Sequence, residues 1–532
     1  MVTTCTTILL LVVWYNRLNI PFYTSSLSPY FSRTTPSSSP TNPNFNPDTD
    51  TDTDTNTGTH NYPPYPVPVS EIDLSSARAP FISWPLRRLC DEQVSSGALV
   101  PGLVFLCDNN SGGPGNIRNY MLTCLRYAIE AGATGVQVPR IRTRSASDKA
   151  DLFNSYKPFG YMFSEAHFRD TMTEACPHIS VFPVLSNSTS SSGSGSNDDS
   201  KGGEGDEDLN TIPGVAAKSS REKLPPERMV RRITPKEFGG TRSGCDNRDP
   251  HRHTDRFGVA FREWTNNTIA ELNLQPPNWE DNPMLIRLTW GVLWDWPVFR
   301  DGPELAASFG GLLRIREDIL DIADAVVREM RGLAVSSSSS SVENKEEDAE
   351  NESSIKPVAR RNKPPSQGPG AFLGIHLRTE EDALSQWPTY EMQSGGYFTK
   401  AEELGFTNGI AYLASGSEKE AQKFSQDAEA TLQLNVKSKY DLVHGKELDK
   451  LKSLSWDQQA LIDFAVLLQS DYFMGVSPSS FSINVALKRH LQRDGLYTRP
   501  WKVGSGDGRS WLVGKYEKYW DDWLFMFDGM WP

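Results

Sequence analysis

The chain has 532 residues, with 54 Lys and Arg residues against 67 Asp and Glu residues, and a formal net charge of −13 at pH 7. This length predicts two or more domains. The acidic balance argues against a nucleic-acid-binding protein, whose usual footprint is a basic stripe. The spacing of Cys and His residues is not of the zinc type, so we expect no metal site.

The N-terminal part is predicted to carry a targeting segment and a spacer. Residues 1–23 contain an apolar run at 8–15 that is shorter than the roughly 20 residues of a spanning helix. It also lacks the basic region of a signal peptide. We expect a signal-anchor or a signal peptide, with a cytosolic chain or a misassigned start as the alternatives. Residues 24–79 are rich in Ser, Thr, Pro and Asp and are predicted to form a disordered stem.

The first folded part, residues 80–185 together with 227–335, is predicted to be a Rossmann-like lobe with a disordered insertion at 186–226. In it, the apolar strand 103–108 runs into a glycine-rich loop and a helix over 116–131. Glycine lets a backbone approach a ligand closely, and a helix start favours anions. The loop is therefore a candidate ligand site, although a plain strand-to-helix turn explains the same pattern.

Two helices are predicted over 257–274 and 309–330 from apolar residues at helical spacing. The tract between them is rich in aromatic residues. Its tryptophans could stack on a sugar or peptide acceptor or could pack into the core: Trp290, Trp294 and Trp296. A second tryptophan-rich segment, 497–532, is expected to pack back on the body of the protein.

Cysteines occur only in the N-terminal half. Cys107, at a strand end, and Cys124, on a helix, are interpreted as buried apolar thiols. Cys90, Cys176 and Cys245 are the better candidates for disulfide bonding, with the pairing undetermined.

A disordered linker, 336–369, leads to a C-terminal lobe predicted over 370–532. In this lobe strands alternate with helices, which indicates a parallel sheet covered on both faces. The predicted strands are 371–377, 409–414, 432–437 and 472–476, and the predicted helices are 398–404, 417–430, 456–469 and 480–491.

The first strand of this lobe ends in His376 and Arg378. Ligands of open α/β sheets lie outside the carboxyl ends of the strands, and the planar fork of Arg suits a phosphate. The alternative is an internal ion pair with one of the acidic residues just beyond it, Glu380, Glu381 or Asp382.

The strand 472–476 leads into Ser477-Pro478-Ser479-Ser480 and a second helix. Serine before a helix is a natural cap, and a helix N-terminus offers free N–H groups and positive potential to a phosphate. A cap and a phosphate site use the same donors, so both interpretations can hold together.

These segments resemble the GDP-fucose-dependent protein O-fucosyltransferases and their plant and fungal relatives. The motifs that carry the resemblance are His376-Leu377-Arg378-Thr379-Glu380, the stretch 468–475 (Leu-Gln-Ser-Asp-Tyr-Phe-Met-Gly), and Ser479-Ser480-Phe481, in the order of that family. Each motif alone is moderately specific, and their combination in order is more so.

The resemblance implies a GT-B-like α/β fold, in which two Rossmann-like lobes face a central cleft. It implies an inverting, metal-independent transfer of fucose from GDP-fucose to a Ser or Thr hydroxyl or a glycan acceptor, with no cofactor. It also implies a location in the secretory pathway, in the Golgi or the endoplasmic reticulum, with a possible single-pass anchor. The alternatives are a non-catalytic nucleotide- or glycan-binding protein of this fold and a transferase for another GDP-sugar.

The resemblance also implies roles for individual residues. Arg378 would bind the β-phosphate, and His376 would orient the ligand or contact the fucose. The remaining implied contacts are to the diphosphate (Ser479, Ser480 and the N–H of Phe481), to the nucleoside (Ser415, Gly416 and, unless it caps or pairs within the fold, Asp471) and to the sugar (Gly115 and Asn116, with Arg118 or Arg126).

One position departs from the family pattern. Some members carry a glutamate three residues before the loop asparagine as the catalytic base, and this chain has Gly113 there. The nearest upstream carboxylate is that of Asp108. A different base, a transfer with little base assistance, or a different acceptor would each account for this difference.

Overall fold

The structure is a computed structural model. It describes residues 72–145, 151, 154–183, 230–238, 252–271, 273, 275–278, 282–289, 294–339, 370–380, 387–494 and 508–532. The predicted targeting segment, most of the stem, the insertion and most of the linker lie outside these residues. Among the helices described, none has both the length and the apolarity that crossing a bilayer requires.

The N-terminal lobe is built on a parallel sheet of five strands. In chain order the strands of this lobe are β1 (Val100–Leu106), β2 (Ala133–Gln137), β3 (Ile141–Thr143), β4 (Ser155–Lys157), β5 (Ser180–Phe182), β6 (Arg231–Ile233) and β7 (Met284–Leu288). The order across the sheet is β5-β2-β1-β7-β6, while β3 and β4 form a separate antiparallel pair. The central strand β1 is buried over its last five residues, as expected for a parallel sheet covered on both faces.

Helices cover this sheet. They are α1 (Trp84–Ser95), α2 (Pro114–Glu130), α3 (Glu165–Ala175), α4 (Phe257–Glu271), α5 (Pro303–Ser308) and α6 (Glu317–Ser339). Helix α2 is buried along nearly all of its length. It follows directly on the glycine-rich loop, so the predicted strand–loop–helix unit is present.

The C-terminal lobe repeats the architecture. Its strands are β8 (Leu373–Leu377), β9 (Ile410–Ser415), β10 (Asn435–Lys437), β11 (Tyr472–Val476) and β12 (Ser510–Val513). They form a parallel sheet in the order β10-β9-β8-β11-β12. Its helices are α7 (Tyr390–Glu403), α8 (Glu418–Leu432), α9 (Lys439–Leu442), α10 (Gly445–Ser453), α11 (Trp456–Leu468), α12 (Ser480–Asp494) and α13 (Phe525–Gly529).

The predicted GT-B-like class, with two lobes of parallel sheet, is confirmed. Some local elements differ from the prediction. The helix expected over 309–330 begins at Glu317, because Gly310 and its neighbours form a 3₁₀ turn. A Cβ at Gly310 would lie 1.9 Å from the backbone oxygen of Pro532, so the turn is pressed against the tail. The helices α9 and α10 and the strand β12 were not predicted, because each is short and gains its stability from packing.

The two lobes contact each other beside the glycine-rich loop. The Arg118 guanidinium on α2 donates to the Asn484 side chain on α12 at 3.3 Å. On the other side, the Gln458 amide at the start of α11 donates to the backbone oxygen of Tyr161 at 2.8 Å. The tail adds to this interface, since the indole of Trp531 is fully buried and donates to Thr123 on α2 at 3.3 Å.

Two disulfides lie within the N-terminal lobe, Cys90–Cys176 and Cys107–Cys124. The first joins two of the predicted candidates. The second corrects the interpretation of Cys107 and Cys124 as free thiols. The end of β1 lies against α2, which brings the two sulfur atoms together although the sequence pattern of both positions is apolar.

A buried ion pair fixes α2 to the segment after β7. The Arg126 guanidinium makes two hydrogen bonds of 2.7 Å to the Asp301 carboxylate, which also accepts from the Trp296 indole at 2.8 Å. Burial acts to raise the pKa of Asp301, but the Arg126 guanidinium lowers it overall. Charges that are this deeply buried require partners.

We therefore expect Asp301→Ala to destabilise the fold strongly. Removing Asp301 takes two hydrogen bonds from the buried Arg126 guanidinium, which keeps only Glu130 at 3.0 Å, and leaves the Trp296 indole without its acceptor. We expect a cost of about 3 kcal/mol, the lower end for breaking a buried pair. The matched control is Asp318→Ala, which breaks the exposed pair with Arg316 and should cost about 0–1 kcal/mol. Urea denaturation followed by circular dichroism measures both. Equal shifts of the two midpoints would contradict the prediction.

Candidate active site

A cavity of about 1170 Å³ lies between the carboxyl ends of the two sheets. Apart from Asp471, Arg118 and Arg126, all of the predicted site residues line it. They are Gly115, Asn116, His376, Arg378, Ser415, Gly416, Ser479, Ser480 and Phe481. The structure does not bring Asp471 to this cavity. Asp471 immediately precedes β11, at the amino ends of the strands, whereas the cavity lies at their carboxyl ends. Its Oδ2 accepts from the Phe372 N–H at 2.9 Å. Asp471 therefore makes hydrogen bonds within the fold, which was the alternative interpretation of this residue.

His376 is held in one position at the end of β8. Its Nδ1 lies 2.6 Å from the Ser482 hydroxyl, and its ring centroid lies 4.6 Å from that of Phe481. Burial lowers the pKa of His376 to about 4. At neutral pH the imidazole is therefore uncharged, so it can orient a ligand or accept a hydrogen bond but adds no positive charge.

Arg378 both lines the cavity and forms the ion pair that was the alternative interpretation. Its guanidinium pairs with Glu380 and lies 5.6 Å from the centroid of the Trp387 ring. Its backbone N–H donates to the Gln393 side chain at 2.9 Å. The guanidinium is thus fixed by a carboxylate and an aromatic face. A guanidinium has five N–H donors, so the group that Glu380 orients can also donate to a phosphate.

Glu380 is a site residue that the sequence reasoning treated only as a rival partner of Arg378. Its Oε1 accepts from the Gly416 N–H at 2.7 Å, and its side chain lines the cavity. Burial acts to raise the pKa of Glu380, but Arg378 and His376 lower it overall. The ionised carboxylate therefore connects the end of β8 to the turn after β9.

The N-terminus of α12 faces the loop of the opposite lobe. The Ser482 hydroxyl accepts from the Val476 N–H at 3.0 Å, which fixes the turn between β11 and the helix. A Cβ at Gly115 would lie 2.9 Å from the Ser480 oxygen, so only glycine permits this approach. Beside it, the Asn116 Oδ1 is buried and has no hydrogen-bond partner among the described residues. That oxygen is available to a ligand hydroxyl.

The far end of the cavity, after β9 and β10, contains polar residues that sequence reasoning missed. The Lys439 ammonium donates to Asp463 at 2.8 Å, and Tyr412 donates to the other oxygen of the same carboxylate at 2.6 Å. From the N-terminal lobe the Arg144 guanidinium lies 5.2 Å from the Trp456 ring centroid. No sequence signal distinguishes these residues from ordinary helix surface, because their proximity depends on the sheet order.

Two predicted sugar contacts are corrected. Arg118 donates to the backbone oxygens of Trp531 and Pro532, at 2.9 and 2.6 Å, and Arg126 pairs with Asp301. Both side chains point away from the cavity because α2 turns them towards the tail and the core.

Among the described residues, no group of three or more His, Cys, Asp or Glu side chains is arranged to hold a metal ion.

A two-lobed α/β protein with a polar cleft at the carboxyl ends of both sheets has the architecture of a GT-B-like glycosyltransferase. The sequence model of the GDP-fucose protein O-fucosyltransferases matches residues 103–492. The chain belongs to this family, and it is therefore a glycosyltransferase that transfers fucose from GDP-fucose.

Solved structures give weaker similarity. POFUT1 in complex with GDP is 12% identical, with 78% of this chain and 99% of that chain covered and a TM-score of 0.36. POFUT1 in complex with GDP-fucose has the same identity and coverage, with a TM-score of 0.35. A mutant of Arabidopsis thaliana FUT1 in complex with GDP is 12% identical, with 81% of this chain and 78% of that chain covered and a TM-score of 0.30. No curated protein matches the chain. The family assignment rests on the sequence model.

We expect His376 to make the fold sensitive to acid. The unfolded imidazole titrates near 6.5 and the folded one at about 4, so the unfolded state binds a proton first as the pH falls below 6.5. Stability is then lost at about 1.4 kcal/mol per pH unit. Between pH 7 and 5 the native protein should lose roughly 2 kcal/mol more of its unfolding free energy than His376→Gln. Urea titrations at several pH values measure this difference, and identical pH slopes for the two proteins would refute it.

Proposed function

We propose that this protein transfers fucose from GDP-fucose to a hydroxyl of a protein or glycan acceptor within the cavity between its lobes. The observation that carries the proposal is the convergence of three elements in that cavity. They are the Arg378 guanidinium, the N-terminus of α12 at Ser480 and the Gly115–Asn116 loop of the opposite lobe. The first two favour an anion, and the third supplies an unsatisfied oxygen for a sugar hydroxyl.

In this proposal the bond between the fucose C1 and the β-phosphate oxygen breaks. The electron pair stays on the phosphate, and GDP leaves. Arg378 and the N–H groups at the start of α12 stabilise the charge that develops on the leaving oxygen, which is electrostatic catalysis. The acceptor oxygen bonds to C1, and its proton passes to solvent water. Arg378 is presented in a fixed orientation, so little reorganisation is needed at the moment of reaction.

We propose an inverting transfer that does not require a metal ion. Retention through a double displacement requires a nucleophile on the sugar's far face. The described residues that line the N-terminal lobe's side of the cavity contribute glycine, proline, amide, guanidinium and indole groups, and no carboxylate. Arg378 and the helix N-terminus provide positive charge that a metal ion would otherwise supply.

We further propose a location in the secretory pathway. The two disulfides, Cys90–Cys176 and Cys107–Cys124, support an oxidising compartment, since structural disulfides are rare in the cytosol. Fluorescence microscopy of the tagged full-length chain, with and without residues 1–23, tests both the location and the contribution of that segment.

Arg378→Ala should weaken GDP binding by about 10- to 100-fold in isothermal titration calorimetry. A hydrogen bond to a charged group contributes about 1.5–3 kcal/mol, and each 1.4 kcal/mol is a factor of ten. Arg378→Lys keeps the positive charge but not the planar guanidinium. Its GDP affinity should therefore lie between those of the native protein and Arg378→Ala. Guanosine, which has no phosphate, serves as the control ligand and should bind both variants like the native protein. Equal GDP affinity in all three proteins would remove Arg378 from the site.

A thermal-shift screen of GDP-sugars should rank GDP-fucose first. A ligand that binds only the native state stabilises it according to its concentration and affinity. Nuclear magnetic resonance of the fucosylated product should then show the anomeric configuration inverted, with activity unchanged by EDTA. Binding without any turnover or hydrolysis of GDP-fucose would instead indicate a nucleotide-binding protein, and a stronger shift with another GDP-sugar would change the donor.

A further inference from the structure

The cavity has an aromatic wall that the donor chemistry does not use. Trp294, Trp523 and Met526 line it together with the glycine-rich loop. The tract around residue 294 is divided between the cavity and the core. The neighbouring Trp296 is fully buried and donates to Asp301 in the core, whereas Trp294 is only partly buried and faces the cavity.

This wall lies on the loop's side of the cavity. The tail that carries Trp523 and Met526 is tied to the first turns of α2, directly after the loop. The Asn119 amide donates to the Gly529 oxygen at 3.0 Å and accepts from the Trp531 N–H at 3.0 Å. The residues expected to contact the nucleoside, Ser415 and Gly416, belong to the C-terminal lobe. The aromatic wall is therefore on the side from which an acceptor would approach the sugar.

The tryptophans that line the cavity differ in their surroundings. In the C-terminal lobe, Trp387 and Trp456 have the guanidinium groups of Arg378 and Arg144 over their rings. Among the described residues, no cation lies over the ring of Trp294 or Trp523. Trp523 packs at 5.7 Å from the Phe525 ring centroid.

The backbone at Trp523 is unusual as well. Its φ of 62° lies in the left-handed region, which costs free energy for a residue with a large side chain. Such a conformation persists only where surrounding packing imposes it, and it is concentrated at functional sites. Trp523 shortly precedes Gly529 and Trp531, which are hydrogen-bonded to Asn119 on α2, and its indole lines the cavity.

We propose that Trp294 and Trp523 form a stacking platform for a pyranose ring, so that the acceptor of the proposed transfer is a carbohydrate. The axial C–H groups of a pyranose make an apolar face that packs on an indole, while its hydroxyls stay free to react. The volume of about 1170 Å³ exceeds the roughly 300–1,000 Å³ of common small-molecule sites and leaves room for a second ligand beside the donor.

The reacting groups lie deep in the cavity. The side chain of Arg378 is 12% exposed, and the Asn116 oxygen is buried. The acceptor hydroxyl must therefore enter the cavity. The terminal ring of a glycan, stacked on the tryptophans of its wall, can do so.

The test uses the full chain with Trp294→Ala or Trp523→Ala. The matched control is Trp520→Ala, because Trp520 is an exposed tryptophan of the same tail and does not line the cavity. Radiolabelled GDP-fucose is incubated with a panel of tagged oligosaccharides and with Ser- and Thr-containing peptides and folded protein domains. Trp523→Phe keeps an aromatic ring, and melting temperatures verify that each variant is folded.

We expect label in oligosaccharides, with the acceptor KM raised at least tenfold in Trp294→Ala and Trp523→Ala. Trp523→Phe should recover part of the loss, and Trp520→Ala should behave like the native protein. GDP affinity should stay within twofold in all variants. Label only in peptides or protein domains, or acceptor KM values that match the Trp520→Ala control, would overturn the platform. A rise in the KM for GDP-fucose without a rise in the acceptor KM would also overturn it, because the tryptophans would then belong to the donor site. If the native protein did not bind GDP-fucose, the proposed function itself would be refuted.

Discussion

The nucleotide side of the cavity depends on one buried carboxylate. Glu380 pairs with the Arg378 guanidinium at the end of β8 and accepts from the Gly416 N–H after β9. Glu380 thereby links the carboxyl ends of β8 and β9. Because a guanidinium has five N–H donors, the group that Glu380 orients can also bind a phosphate. An isolated arginine at a sheet edge would have to lose its side-chain freedom on binding.

Several charged groups of the cavity are paired or neutral. Lys439 is paired with Asp463, Arg378 is paired with Glu380, and His376 is neutral because burial lowers its pKa to about 4. In the proposed function, a diphosphate is therefore held mainly by directed donors. The N-terminus of α12 and the fork of Arg378 are such donors, and both have fixed geometry. This arrangement fits a chain whose formal net charge is −13.

The second constraint is the close approach of the two lobes at Gly115 and Ser480. It places a loop that begins in one sheet against a helix that begins in the other, so neither lobe holds the whole site. The tail reinforces the contact, because Trp531 is buried against α2 and its oxygen accepts from Arg118. The same packing sets Trp523 on the cavity wall. The donor side and the aromatic wall are thus joined through one interface.

The sequence alone determined the alternation of strands and helices, the buried strand that ends in His376 and Arg378, and the serine cap of α12, because these depend on local periodicity and chain order. It did not determine that Arg118 and Arg126 turn inward, that Cys107 meets Cys124, or that Asp471 lies at the opposite edge of the sheet. Nor did it separate Trp294 from Trp296, or assign Glu380 to the site. Those outcomes depend on which elements pack together across long separations in the chain, and only the tertiary structure decides that.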